Sequence, residues 1–142
     1  MTDQPLHGTV AARWTPGLGW RAALIEGPSG SGKSDLALRL TGRGWRLVAD
    51  DYAHIFVSRG MLYALAPATI AGRMEVRGLG VVPARALGST RLTLAVALTE
   101  APVDRLPEPA WRTIEGVRLP LLRLNGFEPS AVEKVAVALT RL

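Results

Sequence analysis

Eight consecutive residues in the first quarter of the chain have the types and spacing of a loop that binds phosphate. Residues 27–34 match the pattern G-x-x-x-x-G-K-[S/T] at every fixed position. Glycines in such a loop let main-chain amides turn inward around a polyphosphate, its lysine reaches the β- and γ-phosphates, and its final hydroxyl contacts Mg²⁺. We therefore predict that ATP or GTP binds to Gly27, Pro28, Ser29, Gly30, Ser31, Gly32, Lys33 and Ser34.

The segments on either side of this loop have the character that the pattern requires. Residues 22–25 form an apolar run that predicts a strand ending at the loop. Residues 35–40 are rich in helix formers, and Gly42 and Gly44 predict the end of that helix. A flexible loop rich in glycine and serine predicts neither flank, so the context favours a phosphate-binding loop over a chance match.

Two adjacent carboxylates follow the next predicted strand. Residues 45–49 form a short apolar segment that ends in Asp50 and Asp51, at the sheet edge where the phosphate-binding loop is expected. We expect both side chains to face the nucleotide, one serving Mg²⁺ and the other a hydroxyl group, because two ionised carboxylates repel unless a cation lies between them. Glu75 and Arg77 share one face of an extended segment, where they serve either the site or a surface ion pair.

The remaining pattern predicts a mixed α/β domain built largely from hairpins. Pro16 to Gly19 and Arg59-Gly60 have turn composition, and residues 102–109 are a proline-rich surface loop. Ser130 and Glu133 form a capping-box pattern that opens a helix through Leu142. Strands are expected at residues 6–14, 20–26, 52–58, 61–65 and 93–99 and, in two parts, at 112–124.

Length and composition restrict the class of protein. The 142 residues fit a single domain, which we expect to span 1–142. The absence of cysteine excludes disulfides, thiolate metal sites and a cysteine nucleophile. The first residues lack the regions of a signal peptide, and the longest apolar run, near residues 92–98, is too short to cross a bilayer. We therefore expect a soluble cytoplasmic protein without a membrane partner.

The positive charge does not predict a nucleic-acid partner. The net charge is +5, but 15 of the 17 basic residues are arginines, scattered from Arg13 to Arg141. Aromatic residues make up 6% of the chain and do not alternate with basic ones as stacking platforms for nucleic acid require. The two lysines are Lys33 and Lys134, so the loop lysine does not follow from a lysine-rich composition.

Four motifs, taken in order, strongly resemble the catalytic domain of the HPr kinase/phosphorylase family. They are Leu6-His7-Gly8, the loop at 27–34, Val48-Ala49-Asp50-Asp51 and Glu75-Val76-Arg77-Gly78-Leu79-Gly80. The resemblance implies an α/β fold with a phosphate-binding loop, a mixed sheet and few helices, similar to phosphoenolpyruvate carboxykinase. It also implies an ATP- and Mg²⁺-dependent kinase that phosphorylates a serine of the phosphocarrier HPr in a phosphotransferase-type phosphorelay, and a hexamer.

The resemblance assigns roles to individual residues. Asp51 is expected to take the proton from the serine hydroxyl of HPr and to return it in the reverse reaction. His7 alone is more typical of a strand histidine, and only the Leu-His-Gly motif gives it a place in the site. The catalytic residues carried over are His7, Lys33, Asp51, Arg77 and Arg105, and the metal-facing residues are Ser34, Asp50 and Glu75.

The chain departs from the family pattern at three places. It begins six residues before His7 and so resembles a short form without the regulatory domain, and its hairpin between His7 and Gly27 is longer. Where bifunctional members carry an arginine-bearing Pro-x-Arg-Pro-Gly-Arg loop for the reverse reaction, residues 117–127 hold Arg118 and Arg123 among apolar residues. Because a second anion needs concentrated positive charge, we expect weak phosphorolysis. A carboxykinase-like small-molecule kinase and a non-catalytic nucleotide sensor remain alternatives.

Overall fold

The computed structural model describes residues 4–141, which form a nine-stranded mixed sheet, a separate two-stranded hairpin and two helices. The mixed sheet with few helices is confirmed. The helices are α1 Lys33–Thr41 and α2 Ala131–Thr140, and neither is long and apolar enough to cross a membrane. The strands are β1 Leu6–His7, β2 Thr9–Thr15, β3 Gly19–Glu26, β4 Arg46–Ala49, β5 Tyr52–Ser58, β6 Met61–Leu65, β7 Arg73–Val76, β8 Gly80–Pro83, β9 Thr90–Leu98, β10 Trp111–Ile114 and β11 Val117–Leu124.

The large sheet has the order β1-β5-β6-β9-β3-β2-β4, and the β10–β11 hairpin joins it through β9. Strand β9 has two partners along one edge: its first residues pair with β6 and its last residues pair with β11. Strands β3 and β9 are parallel, with Leu24 opposite Ala95. Strand β2 is antiparallel to both β3 and β4, so β3 and β4 run in the same direction. Their carboxyl ends therefore reach the same edge of the sheet, as the sequence predicts.

The sheet is buried on both faces. Side chains alternate along β3, so that Leu24 packs into one core and Ile25 into the other. Leu40 of α1 and Val135 of α2 cover the Ile25 side. The Leu24 side is covered by the sheet itself, which curls so that Ile55 of β5 packs across it. Burial on both faces explains why β3 is a continuous apolar run before the loop.

Local patterns predicted most of the elements and missed two features. Both strands of the β5–β6 hairpin have the expected bounds, and α2 begins where predicted, although position 142 lies outside the described residues. Of the β7–β8 hairpin, only an extended segment at Glu75 and Arg77 was expected. The capping box is wrong, because Ser130 makes no side-chain capping bond and Glu133 instead pairs with Arg43 at 3.0 Å. The assignment of 1–142 to one domain stays a prediction.

Candidate functional site

The phosphate-binding loop connects the end of β3 to the start of α1. Gly30 and Gly32 have φ angles of 81° and 95°, in the region that favours glycine. Gly32 is the N-cap of α1, and no side chain makes a capping hydrogen bond there. The first amides of a helix have no acceptor within the helix, so these groups are available to an anion.

The back of the loop packs closely against neighbouring residues. A Cβ on Gly27 would lie 3.1 Å from the Cβ of Leu98 and 2.6 Å from Oγ of Ser31. A Cβ on Gly126 would lie 3.1 Å from the carbonyl oxygen of Ser31. Gly27 is therefore needed for packing on β9 rather than for direct contact with phosphate, and the turn at Gly126 supports the loop from behind.

Two side chains beyond the loop fix its position. The ring of Phe127 lies so close to Gly32 that a Cβ there would be 3.0 Å from two ring carbons. Arg39 of α1 donates hydrogen bonds to the carbonyl oxygen of Gly126 and, at 3.1 Å, to the carboxylate of Asp35. The start of α1 and the segment after β11 are thereby held together.

The Lys33 ammonium is held against the loop. It donates to the carbonyl oxygens of Gly27 at 2.8 Å and Pro28 at 3.2 Å, and the residue is buried. These two contacts keep the positive charge at the wall of the cavity described below, where a phosphate would be its natural counter-ion.

Asp50 is a buried acceptor for three donors. Its Oδ1 accepts hydrogen bonds from Oγ of Ser34 at 2.8 Å and from Oγ1 of Thr9 at 3.4 Å, and its Oδ2 accepts one from the Glu75 amide at 3.0 Å. The expectation that both aspartates face the cavity is corrected, because Asp50 is 6% exposed and lies beneath it. Adjacent residues leaving a strand point in opposite directions, so only one of the pair can face outward.

Asp51 lies at the centre of a three-residue turn. The amide of Tyr52 donates to the carbonyl oxygen of Asp50 at 2.8 Å, and Asp51 has a φ of 68°. A γ-turn of this hand is rare and strained. Its main chain is fixed on both sides, since the Asp51 amide donates to Oγ1 of Thr9 at 3.2 Å and the Gly8 amide donates to the Asp51 carbonyl at 2.8 Å. The turn directs the Asp51 carboxylate outward.

His7 holds one oxygen of that carboxylate. Its Nε2 lies 2.9 Å from Oδ1 of Asp51, and its ring contacts Tyr52 with a centroid distance of 5.3 Å. The pairing of β1 with β5 places His7 opposite Tyr52, directly beside the turn. Oδ2 of Asp51 has no hydrogen-bond partner among the residues that the structure describes, so it is open to an incoming group.

These parts surround a cavity of about 370 Å³. Of the sequence-predicted catalytic residues, it brings together His7, Lys33, Asp51 and Arg77, and Glu75 and Ser34 also line it. Arg105 lies in the exposed loop between β9 and β10 and is not part of this lining. The complete lining is His7, Ser29, Gly30, Gly32, Lys33, Ser34, Asp35, Leu38, Asp51, Glu75, Val76, Arg77 and Phe127.

Besides Leu38, sequence reasoning missed three residues of the site. Thr9 bonds to both aspartates, but nothing in a strand threonine signals this before the strand order is known. Phe127 follows Gly126 in a turn that lies far from the loop in sequence. Asp35 had a weak signal, because it follows the loop directly and lies in the first turn of α1.

The residues in and beneath the cavity fit a magnesium nucleotide. Ser34, Asp50 and Glu75 offer oxygen atoms, which Mg²⁺ prefers. No cluster of three or more His, Cys, Asp or Glu side chains within residues 4–141 could hold a metal by itself. This agrees with Mg²⁺, which is commonly bound through one or two carboxylates together with the phosphates of a substrate.

Comparisons with known proteins agree with the fold and assign the chain to a family. The family model for the HPr Serine kinase C-terminal domain matches residues 6–123, and the chain belongs to this family. An HPr kinase/phosphorylase of Streptococcus gordonii is 38% identical over 132 residues, covering 84% of this chain and 41% of the relative. One of Clostridium tetani is 44% identical over 77 residues, covering 54% and 24%. The chain thus spans less than half of these relatives.

The fold is also that of a solved structure, the Hpr(Ser) kinase/phosphatase from Coxiella burnetii. The TM-score is 0.75 at 24% sequence identity, and the match covers 98% of this chain and 89% of that one. The expected fold class is therefore confirmed by an independent structure.

Gly126→Ala tests the packing behind the loop. The new Cβ would lie 3.1 Å from a main-chain oxygen and 2.9 Å from Cδ1 of Leu98, so we expect a loss of about 1–3 kcal/mol in the free energy of unfolding. Gly88→Ala is the matched control, because its Cβ would meet nothing within 4 Å. Urea unfolding of both variants measures the difference, and equal stabilities would contradict the close packing.

A glycine at position 51 tests the strain in the turn. Asp51→Gly and Asp51→Ala both remove the contact with His7, but only glycine adopts a positive φ without steric cost. We expect the glycine variant to be more stable than the alanine variant by about 1 kcal/mol. Thermal unfolding of the pair checks this, and a more stable alanine variant would show that the turn is not strained.

Proposed function

We propose that this chain is the catalytic domain of a kinase that transfers the γ-phosphoryl group of ATP to a serine hydroxyl of an HPr-like phosphocarrier protein. The observation that carries the proposal is the position of Asp51. Its carboxylate is held by His7 and by a strained turn at the wall of the cavity that also contains Lys33 and Ser34. A nucleotide sensor has no use for a carboxylate fixed in this way.

The chain's residues divide the work of binding the nucleotide. Lys33 and the free amides at the start of α1 would bind the phosphates, and the Ser34 hydroxyl would be a ligand of Mg²⁺. Asp50 orients that hydroxyl through its hydrogen bond and, together with the Glu75 carboxylate in the lining, would help to hold Mg²⁺. When bound, Mg²⁺–ATP supplies the phosphoryl group and neutralises the charge that develops during its transfer.

Asp51 acts on the protein substrate. Its open Oδ2 accepts the proton of the serine hydroxyl as the oxygen attacks phosphorus, and His7 keeps Oδ1 from turning into the site. Arg77 lies in the same lining and offsets negative charge on the transferred group. In the reverse reaction the protonated Asp51 returns its proton to the serine oxygen.

The rim of the cavity favours a protein substrate over a small molecule. The β7–β8 hairpin carries Glu75 in the lining, and its tip exposes Leu79 and Val81 with 76% and 68% of their surface accessible. Exposed apolar side chains beside an active site are typical of a surface that docks a protein. A carboxykinase-like enzyme has no need for them.

Three further properties belong to the same proposal. The family resemblance supports a cytoplasmic enzyme and a hexamer. Weak phosphorolysis is supported by the positions of Arg118 and Arg123, which lie in β11 rather than in a loop and are not part of the cavity lining. Among the described residues, the lining contains a single arginine, Arg77, that could bind a second anion.

Lys33→Ala tests the nucleotide site. Because Lys33 supplies the positive charge at the phosphates, we expect this variant to bind ATP more weakly and to lose measurable turnover. Lys134→Ala is the control, since Lys134 lies in α2 and pairs with Glu128 at 2.9 Å. Calorimetric titration with ATP and a labelled-phosphate assay with HPr give the two readouts. Unchanged affinity and turnover in Lys33→Ala would overturn the site.

Asp51→Asn tests the base. The variant keeps the size of the side chain but cannot take a proton, so we expect ATP affinity to stay within a few-fold while transfer to HPr slows by roughly 10²-fold or more. Asp50→Asn is expected to change the Mg²⁺ dependence, because its carboxylate faces Ser34. Asp104→Asn, in the exposed loop, is the control. Normal HPr phosphorylation by Asp51→Asn would remove Asp51 from the mechanism.

A further inference from the structure

Two exposed apolar side chains line the nucleotide cavity and have no part in the mechanism described above. They are Leu38 of α1 and Phe127, which lies between β11 and α2. Leu38 is 40% exposed and Phe127 is 55% exposed. Phosphates and Mg²⁺ need charged and polar partners, so these two side chains do not serve the triphosphate. An apolar part of the cavity wall indicates that the ligand also has an apolar surface.

The strand order places Phe127 and Asp51 on opposite sides of the phosphate-binding loop, which follows β3. On one side of β3 lie β2 and then β4, which leads to Asp51. On the other side lie β9 and then β11, which leads to Phe127. Strands β3, β4, β9 and β11 all run in the same direction, so these connections leave one edge of the sheet. A triphosphate with its terminal phosphate towards Asp51 therefore extends its nucleoside towards Phe127.

The first turns of α1 agree with this direction. Gly32, Asp35 and Leu38 follow one another at intervals of three residues, and all three line the cavity. At about 100° per residue these positions lie on neighbouring parts of the helix surface, and each step rises by about 4.5 Å. The cavity thus continues along α1 past the amides that would bind phosphate, and it reaches an apolar side chain at Leu38.

The ring of Phe127 is already ordered. A Cβ on Gly32 would lie 3.0 Å from two of its ring carbons, so the ring packs against the main chain of the loop. Arg39 holds the preceding residue through its hydrogen bond to the carbonyl oxygen of Gly126, and the Phe127 amide donates to Oδ1 of Asn125 at 2.9 Å. An ordered ring that is still accessible can stack on a flat heterocycle with little further loss of conformational entropy.

We propose that Phe127 and Leu38 form the platform on which the nucleobase of the nucleoside triphosphate packs. The inference rests on the proposed function, because it needs the triphosphate to bind beside Lys33. Every nucleobase has a π-face, and stacking on one aromatic side chain changes affinity by about tenfold or more. Both side chains are apolar, so the platform contacts the face of the base rather than its hydrogen-bonding edge. It positions the nucleoside and takes no part in the chemical step.

The test compares ATP with inorganic tripolyphosphate, which carries three phosphates but no nucleoside. Both ligands are titrated with Mg²⁺ into the full chain by calorimetry, and the readout is the Kd of tripolyphosphate divided by the Kd of ATP. Phe127 also packs on Gly32, so a variant that merely loosens the loop weakens both ligands and leaves this ratio unchanged. We expect Phe127→Ala to lower the ratio by about tenfold.

Further variants separate the ring from other effects. Phe127→Tyr keeps the ring and is expected to keep the wild-type ratio, whereas Leu38→Ala removes part of the platform and lowers the ratio by a few-fold. Val137→Ala is the matched control, because Val137 of α2 is 54% exposed and lies outside the lining.

Two results would overturn the platform and leave the phosphate site in place. One is an unchanged ratio in Phe127→Ala, and the other is an equal decrease in Val137→Ala. If the wild-type protein bound neither ATP nor tripolyphosphate, the proposed function would be overturned and this inference with it.

Discussion

The buried carboxylate of Asp50 is the interaction on which the site depends. It accepts hydrogen bonds from the first turn of α1, the start of β2 and the β7–β8 hairpin, through Ser34, Thr9 and the Glu75 amide. These segments are far apart in the sequence, yet each contributes a donor whose hydrogen-bond acceptor is the Asp50 carboxylate. Because an unpaired buried carboxylate is costly, all three are held in register with the loop.

The use of Asp50 as an internal acceptor leaves Asp51 free for chemistry. If both carboxylates faced the cavity, their mutual repulsion would disfavour the state in which both are ionised. The γ-turn at Asp51 avoids this, because the side chains of Asp50 and Asp51 leave the turn on opposite sides. The strain of that turn is offset by the hydrogen bonds that Asp51 forms with Gly8 and Thr9. Interactions outside the turn therefore stabilise the strained conformation that the site uses.

Local chemistry in the sequence was enough to predict the loop, its flanking strand and helix, and the β5–β6 hairpin, since turn residues and apolar runs determine these elements. Prediction from local sequence failed where residues that are distant in the sequence determine the conformation. The orientation of Asp50 depends on Thr9 across β2, and Ser130 does not cap α2, where Glu133 pairs with an arginine after α1 instead. The support of Gly32 by Phe127 likewise follows from tertiary packing that no spacing rule contains.

The strand order β3-β2-β4 explains how one edge of the sheet can hold both the phosphate-binding loop and the base Asp51. With β2 between them, the strand before the loop and the strand before the aspartates lie two strand spacings apart, about 10 Å. That separation is too wide for the loop and Asp51 to contact directly, and it leaves room for a phosphoryl group and an attacking hydroxyl between them. The Ser34–Asp50 hydrogen bond spans the gap beneath the cavity. Strand β2 therefore separates the phosphate-binding loop from Asp51. It also helps to hold the two together, because Thr9 of β2 forms hydrogen bonds with Asp50 and Asp51.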